Sequence, residues 1–292
     1  MKADIAWAKK ININNAILSE LDKLEGKLGI PALSNKIQSS RPYTKPEDLV
    51  SKKVIDQAQF DTIKDMVTIE DIKLTGEARD VDYMVKLGLM KGHLLVAKEL
   101  IDLKKIDQAE PHIGHPVEEI YADVEEQLNE RKVKEFKTPL ISLHDQVKAG
   151  GKDAAKLSTN FASSMKSVED AIAGLPATQR TSPSFALQVI AGLLDSADAE
   201  YTAAIANNKI SQAVEYQDSR GFVLYSQELY KAIEPQLTKS NAAVATSIGK
   251  SLTDVIKAWP SAIPPATPVL PPTEVTKLVK SIESESAKIK PA

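Results

Sequence analysis

From Arg79 onward, apolar residues recur every three or four positions and the alternation typical of strands is scarce. This periodicity predicts helices over 79–104, 116–131, 137–149, 153–175, 184–207, 211–237 and 241–258. The breaks between them are HIGHP, KEFKTP, AGGKD, LPATQRTSPS and NNKI, each rich in residues that interrupt a helix. Long helices joined by short loops predict an all-α fold, an up-and-down helical bundle. The segment 79–104 is apolar almost all round (Val81, Met84, Val85, Leu87, Leu89, Met90, Leu94, Leu95, Val96, Leu100), which places it at the centre of the bundle. Gly88 and Gly92, one turn apart, mark a side where a neighbouring helix can approach closely.

Residues 1–72 have a different rhythm and are expected to form a small separate module, with 79–292 as the bundle domain and KLTGEA (73–78) between them. ININNAILSELDKL is expected to be an extended segment leading into a helix capped by Asn14 or Asn15, because an Asn side chain accepts from the free amides of a first turn. EGKLGIP is a turn, ALSNKIQSS a second short helix, RPYTKPEDL a proline-bounded connection with a helix start near Pro46, and VSKKVIDQAQFDTIKDMV two more short helical turns. Past the bundle, six of the sixteen prolines lie between Pro260 and Pro272, predicting a stiff extended strap. TEVTKLVKSIESESAKI closes the chain as a last helix.

Composition narrows the function classes. With 292 residues and 42% hydrophobic side chains the chain can bury a sizeable core. A net charge of -3 gives no general attraction to nucleic acid or to anionic membranes. No apolar run is long enough to span a bilayer. The absence of cysteine removes disulfides, thiolate metal sites and cysteine nucleophiles together. MKADIAWAKK lacks the apolar stretch of a signal peptide, so an exported protein would correspond to a mature chain carrying an added Met1. Export to a periplasm or thylakoid lumen is the expectation, with a cytoplasmic location left open.

Three of the four histidines, His93, His112 and His115, fall within residues 90–119. His93 lies opposite the Lys91/Lys98/Asp102 stripe and so points away from the wet face; a buried imidazole needs a partner for each nitrogen, and metal, carboxylate and carbonyl all qualify. In EPHIGHPVEE, Pro116 is expected at the first position of a helix with His115 as its cap. Glu118 and Glu119 then either complement the helix dipole or join the histidines as ligands. In VEYQDSRGF, Glu215 and Asp218 share a helical face with Ser219 and Phe222, resembling the way bundles supply carboxylates to metals; a solvated face paired with Arg220 or a lysine is the alternative. The tyrosines nearby, and His144, are read as packing or surface residues. Imidazole with carboxylate suits Fe, Cu, Zn or Ni. No nucleotide loop, nucleophile elbow or metalloprotease helix is present, so binding is expected rather than catalysis.

KININNA, LEGKLGIPALSNKI and RPYTKPEDLVS, at 10–16, 24–37 and 41–51, resemble the helix-hairpin-helix unit of the ComEA and PsbU families. The ComEA side of the resemblance implies DNA binding through Gly26, Lys27 and Gly29, whose hairpin amides would meet phosphate. Residues 1–72 nonetheless hold 11 Lys and Arg against 11 Asp and Glu, and DNA affinity depends on basic side chains releasing cations, so DNA is the weaker expectation. The PsbU side implies a docking module for a protein partner, in a cyanobacterial setting. His115-Pro116-Val117-Glu118 resembles the His-x-x-Glu motif of imelysin and EfeO-type exported proteins, which implies His115 and Glu118 as ligands in iron or copper handling. The leading expectation is therefore an exported, non-enzymatic helical protein. It would bind a transition metal (Fe, Cu or Zn) at His93, His112, His115, Glu118, Glu215 and Asp218. The alternatives are a metal-free interaction scaffold and a DNA-binding protein.

Overall fold

The computed structural model describes residues 10–71 and 74–290, with the side chains of Ser19 and Glu119 outside the description. The fold is all-α. The N-terminal part contains α1 (Leu18–Leu28), α2 (Leu33–Ser39), α3 (Asp48–Ser51) and α4 (Gln57–Ile63). They surround a core of Ile13, Leu21, Leu24, Leu33, Ile37 and Ile63. Two short strands, β1 (Ile11–Asn12) and β2 (Val67–Thr68), pair in parallel and tie the two ends of this part together. The extended lead-in is therefore half of a sheet whose other half the periodicity does not reveal.

Neither asparagine caps α1. Asn14 donates to the Tyr43 carbonyl and accepts from the Tyr43 amide at 2.8 and 2.7 Å, while Asn15 donates to Asp71, so both side chains act across the module. The α1–α2 hairpin is held instead by Glu25, whose carboxylate accepts from the amides of Ala32 and Ser34 at 2.9 and 3.2 Å. Gly29 ends α1 in the left-handed conformation, with φ +64°, which an L side chain rarely adopts.

The bundle follows. Its centre is α5 (Gly76–Asp102), buried on nearly every face, as its apolar periphery predicts. Next come α6 (Ile106–Ala109), α7 (Pro111–His115), a π-helical turn (Pro116–Ile120) and α8 (Tyr121–Glu130). Here the expected helix start at Pro116 is corrected. Helical backbone already begins at Pro111 and passes through His115 and Pro116, so His115 is not a cap. Pro116 has no amide to give its own i−4 carbonyl, and the ladder widens into one π turn at that point.

The remaining helices are α9 (Lys137–Lys148), α10 (Ala154–Ile172), α11 (Ala177–Arg180), α12 (Pro183–Ala203), α13 (Ala213–Val255) and α14 (Pro272–Ser286). A two-residue hairpin of β3 (Ile205–Ala206) and β4 (Lys209–Ile210) joins α12 to α13. Within α13 the backbone leaves helical geometry at Asn241, close to the break expected between 237 and 241, so α13 is two helices in series. The strap from Trp259 to Pro271 carries the chain back to α14, and Tyr201 donates to its Leu270 carbonyl at 2.8 Å. Among the described residues no helix is long and apolar enough to cross a membrane.

The crossing of α5 and α13 positions everything that follows. Gly92 of α5 faces Gly221 of α13, and a Cβ built on Gly221 would lie 2.1 Å from the Gly92 carbonyl oxygen. The two backbones touch, which only glycine permits. This close approach brings the residues beside the glycines, His93 and Asp218, within hydrogen-bonding reach across the interface.

Candidate metal centre

Asp218 projects from α13 into the space between α5 and α7 and is almost fully buried. Its Oδ1 accepts from two imidazoles at once: His93 Nδ1 at 2.6 Å and His112 Nδ1 at 2.6 Å. His115, one turn after His112, has its Nδ1 3.6 Å from Asp218 Oδ2 and is about a third exposed, at the solvent edge of the cluster. The three rings surround the carboxylate. The His93 ring lies 5.7 Å from that of His115, nearly perpendicular to it, and 6.4 Å from that of His112. Phe222, one turn on from Asp218, presses edge-on against His93 at 5.1 Å. Donor atoms of His93, His112 and Asp218 all lie within 4.8 Å of one another, a spacing that can close on one metal ion.

The electrostatics suit a cation. Burial pushes the His93 imidazole down from its ordinary pKa, against the pull of Asp218, so the ring favours its neutral, ligating form. Burial works against the ionised form of Asp218 too, but the neighbouring imidazoles outweigh it and hold the carboxyl well below the usual carboxylate range. His93 Nε2 is buried with no hydrogen-bond partner. A buried ring nitrogen without a partner costs about 1–3 kcal/mol, and this one lies on the side of the ring away from Asp218.

Glu215 sits one turn before Asp218, half-buried. Burial raises its pKa, as do the charges of Asp218 and Glu25, while His115 lowers it. The alternative reading of this stretch as a solvated face is overturned for Asp218, whose partners are imidazoles. Arg220 pairs with Glu99 instead, through two bonds of 2.7 Å. Glu118 is not brought to the cluster: it lies in the π turn and is exposed. The side chain of Glu119 lies outside the described residues. His144 is no lone packing residue; its Nε2 pairs with Glu110 beside Gly114, in the turn that bears His112 and His115.

The DNA-binding alternative is not supported by the hairpin it would use. Gly26 packs its backbone against α12, where an added Cβ would lie 3.2 Å from the Ala199 carbonyl. Gly29 serves as a helix C-cap, Lys27 is an exposed side chain, and Glu25 already occupies the hairpin amides of Ala32 and Ser34. An amide bonded to a carboxylate is not available to phosphate.

Two groups beside the site escape the sequence reading. Gln217 contacts His112 directly: its Oε1 is 2.9 Å from His112 Nε2. Glu200, on α12, is buried beside Asp22 of α1, with Asp218 and Glu215 near enough to raise its pKa. A glutamine next to an aspartate carries no pattern of its own. Gly221 does carry one, a glycine inside a helix three residues after an acid, but its pairing with Gly92 emerges only in the fold.

The fold and the cluster together define an all-α bundle with a buried imidazole–carboxylate centre. Residues 176–292 match the model of a family described as the iron permease-associated 4-helix bundle domain. That stretch holds α12, the two halves of α13 on either side of Asn241, and α14, which supply four long helices. Asp218 and Glu215 lie inside the match, and the three histidines lie outside it. No family model was found for the ComEA/PsbU-like or imelysin-like resemblances. No curated protein and no solved structure matches the chain.

Proposed function

We propose that this protein is a non-enzymatic, exported cation-binding partner of an iron transport system. In this reading it takes up a divalent first-row metal, with Fe(II) as the natural cargo, at His93, His112 and Asp218. His115 and Glu215 receive the ion at the solvent edge. The observation that carries the reading is the convergence of two buried imidazole nitrogens on one ionised, buried carboxylate oxygen, with a third imidazole at the rim. Buried charge without a purpose is costly, and a nitrogen–oxygen donor set without thiolate suits Fe, Zn, Cu(II) or Ni. The resemblance of residues 176–292 to a domain associated with iron permeases supports iron as the cargo and a permease as the partner.

The two imidazoles stand at hydrogen-bond distance from Asp218, 2.6 Å each. His93, His112 and Asp218 would hold the ion, which would take the place of the protons between them. Residues 10–71 act in this proposal as a docking module held against the bundle by α1 and α12.

Anaerobic titration with Fe(II), and with Zn(II) and Cu(II) in parallel, tests the proposal by calorimetry. One equivalent should bind at pH 7.5, and Asp218→Asn should abolish binding. The absence of stoichiometric binding of any of the three ions ends it. The competing reading, a metal-free scaffold, draws on the same closed hydrogen bonds, which already satisfy both Nδ1 atoms. It requires thermal stability to be identical in chelator and in excess metal, whereas a bound cation raises it.

A further inference from the structure

The Gln217 side chain is fully constrained. Its amide nitrogen donates to Gln108 Oε1 at 3.1 Å and to the Ala262 carbonyl at 3.0 Å, which uses both of its hydrogens. Its oxygen therefore faces His112 Nε2, 2.9 Å away, and can only accept. The proton on His112 must then sit on Nε2. The other ring nitrogen, Nδ1, faces Asp218 Oδ1 at 2.6 Å, a hydrogen-bond separation that a proton fills, and it is the nitrogen a metal ion would take on displacing that proton.

We infer that Gln217 is the positioning residue of the metal centre: it holds the Nε2 proton of His112 and thereby presents Nδ1 to the ion. The inference rests on the metal reading above for its functional meaning. Metal-ligating histidines commonly donate their second nitrogen to an outer partner that sets the tautomer and the ring's angle. Here that partner is a neutral amide, itself anchored at its far end to the turn that begins the proline strap.

The strap is clamped at that same turn. Tyr216 donates to the Ser261 carbonyl at 3.1 Å, Trp259 Nε1 donates to Ser219 Oγ at 2.7 Å, and Arg220 donates to the Trp259 carbonyl. Residues 216, 217, 219 and 220 thus hold the strap from the same turn of α13 that carries Asp218. The start of the strap is part of the outer shell of the site, and a strained or displaced strap would release the His112 ring.

The full chain labelled with 15N provides the test, since long-range 15N–1H spectra report which ring nitrogen carries the proton and only four histidines contribute signals. His112→Gln assigns the resonance. In metal-free wild type at pH 7.5, Nε2 of His112 should be protonated; with Zn(II) as a diamagnetic probe the proton should stay on Nε2 while Nδ1 shifts on ligation. Gln217→Ala should release the tautomer and weaken Zn(II) binding by roughly 10- to 100-fold. Gln217→Glu keeps the acceptor and should recover most of that loss. A bare Nε2 in wild type, ligation through Nε2, or a Gln217→Ala protein that binds Zn(II) as wild type does would each overturn the inference. If wild type binds no Zn(II), Fe(II) or Cu(II), the metal reading fails, and the metal-free spectrum alone still decides whether Gln217 sets the tautomer.

Discussion

Asp218 and Glu200 are both almost wholly buried, and each is near enough to the other for its charge to be felt. They respond to burial in opposite ways. Asp218 meets two imidazoles and stays ionised, held well below the ordinary carboxylate range. Glu200 meets Asp22, Asp218 and Glu215, all acids, and its pKa is raised well above the usual value, by burial first and by those charges second. Its hydrogen-bonded neighbour Asp22 is pushed up to about 7 for the same reasons, with Ser34 pulling the other way. Burial sets the scale of the effect, and the partner sets its sign. A carboxylate that keeps its charge among imidazoles is prepared for a cation. A pair of acids sharing a proton is prepared to hold two helices together, here α1 and α12.

The sharpest way to break the comparison is to separate the helices that create the first site. Gly221→Ala forces a Cβ into the Gly92 backbone, and overpacking of this kind costs about 3 kcal/mol or more; denaturant unfolding should show it together with loss of metal binding. Asp218→Asn comes next. It leaves the fold but removes a charge that accepts two hydrogen bonds, worth about 3 kcal/mol in all, and the same unfolding assay should register it.

The acid pair should move oppositely. A folded-state pKa above the unfolded value means stability present below about pH 4 and lost as pH rises through about 7. The acid pair should therefore subtract stability from the protein as pH rises between those limits. Glu200→Gln should flatten that dependence and stabilise the protein at pH 8, measured by thermal melts across pH; an unchanged pH profile would remove the acid pair from the account.

At the metal centre protons compete for imidazole nitrogen, so binding should weaken as pH falls through about 6, read by repeating the calorimetric titration at lower pH. The smallest effect is expected at the surface. Lys98→Ala breaks the exposed pair with Asp102 and should change stability by no more than about 0.5 kcal/mol.

Most of the helical framework is legible in the chain because amphipathic period and helix-breaking residues are local signals. The central position of 79–104, the interruption near Asn241 and the strap all follow from them. What escapes depends on contacts between distant segments. The β1–β2 pair joins residues 11–12 to 67–68, and its short strands have no period to read. The asparagines before α1 look like caps, yet bond across the module to Tyr43 and Asp71 instead. His93 and Asp218, 125 residues apart, meet because Gly92 and Gly221 do, and a single chain shows the glycines without showing that they face each other. Glu118 illustrates the converse: it follows the histidines in the chain but is exposed, away from the carboxylate they share.

The contact between Gly92 and Gly221 has a consequence for how this chain can change over time. Much of the bundle core is leucine, valine and isoleucine, and exchanges among them widen or narrow a helix gap by a methyl group at a time. At the α5–α13 crossing main chain rests on main chain, and no side chain remains there to be exchanged. The contact works as a hard stop. The surrounding hydrophobic residues can drift while the reach from His93 to Asp218 keeps its length, and the dimension that a bound ion would sense is insulated from turnover in the rest of the core.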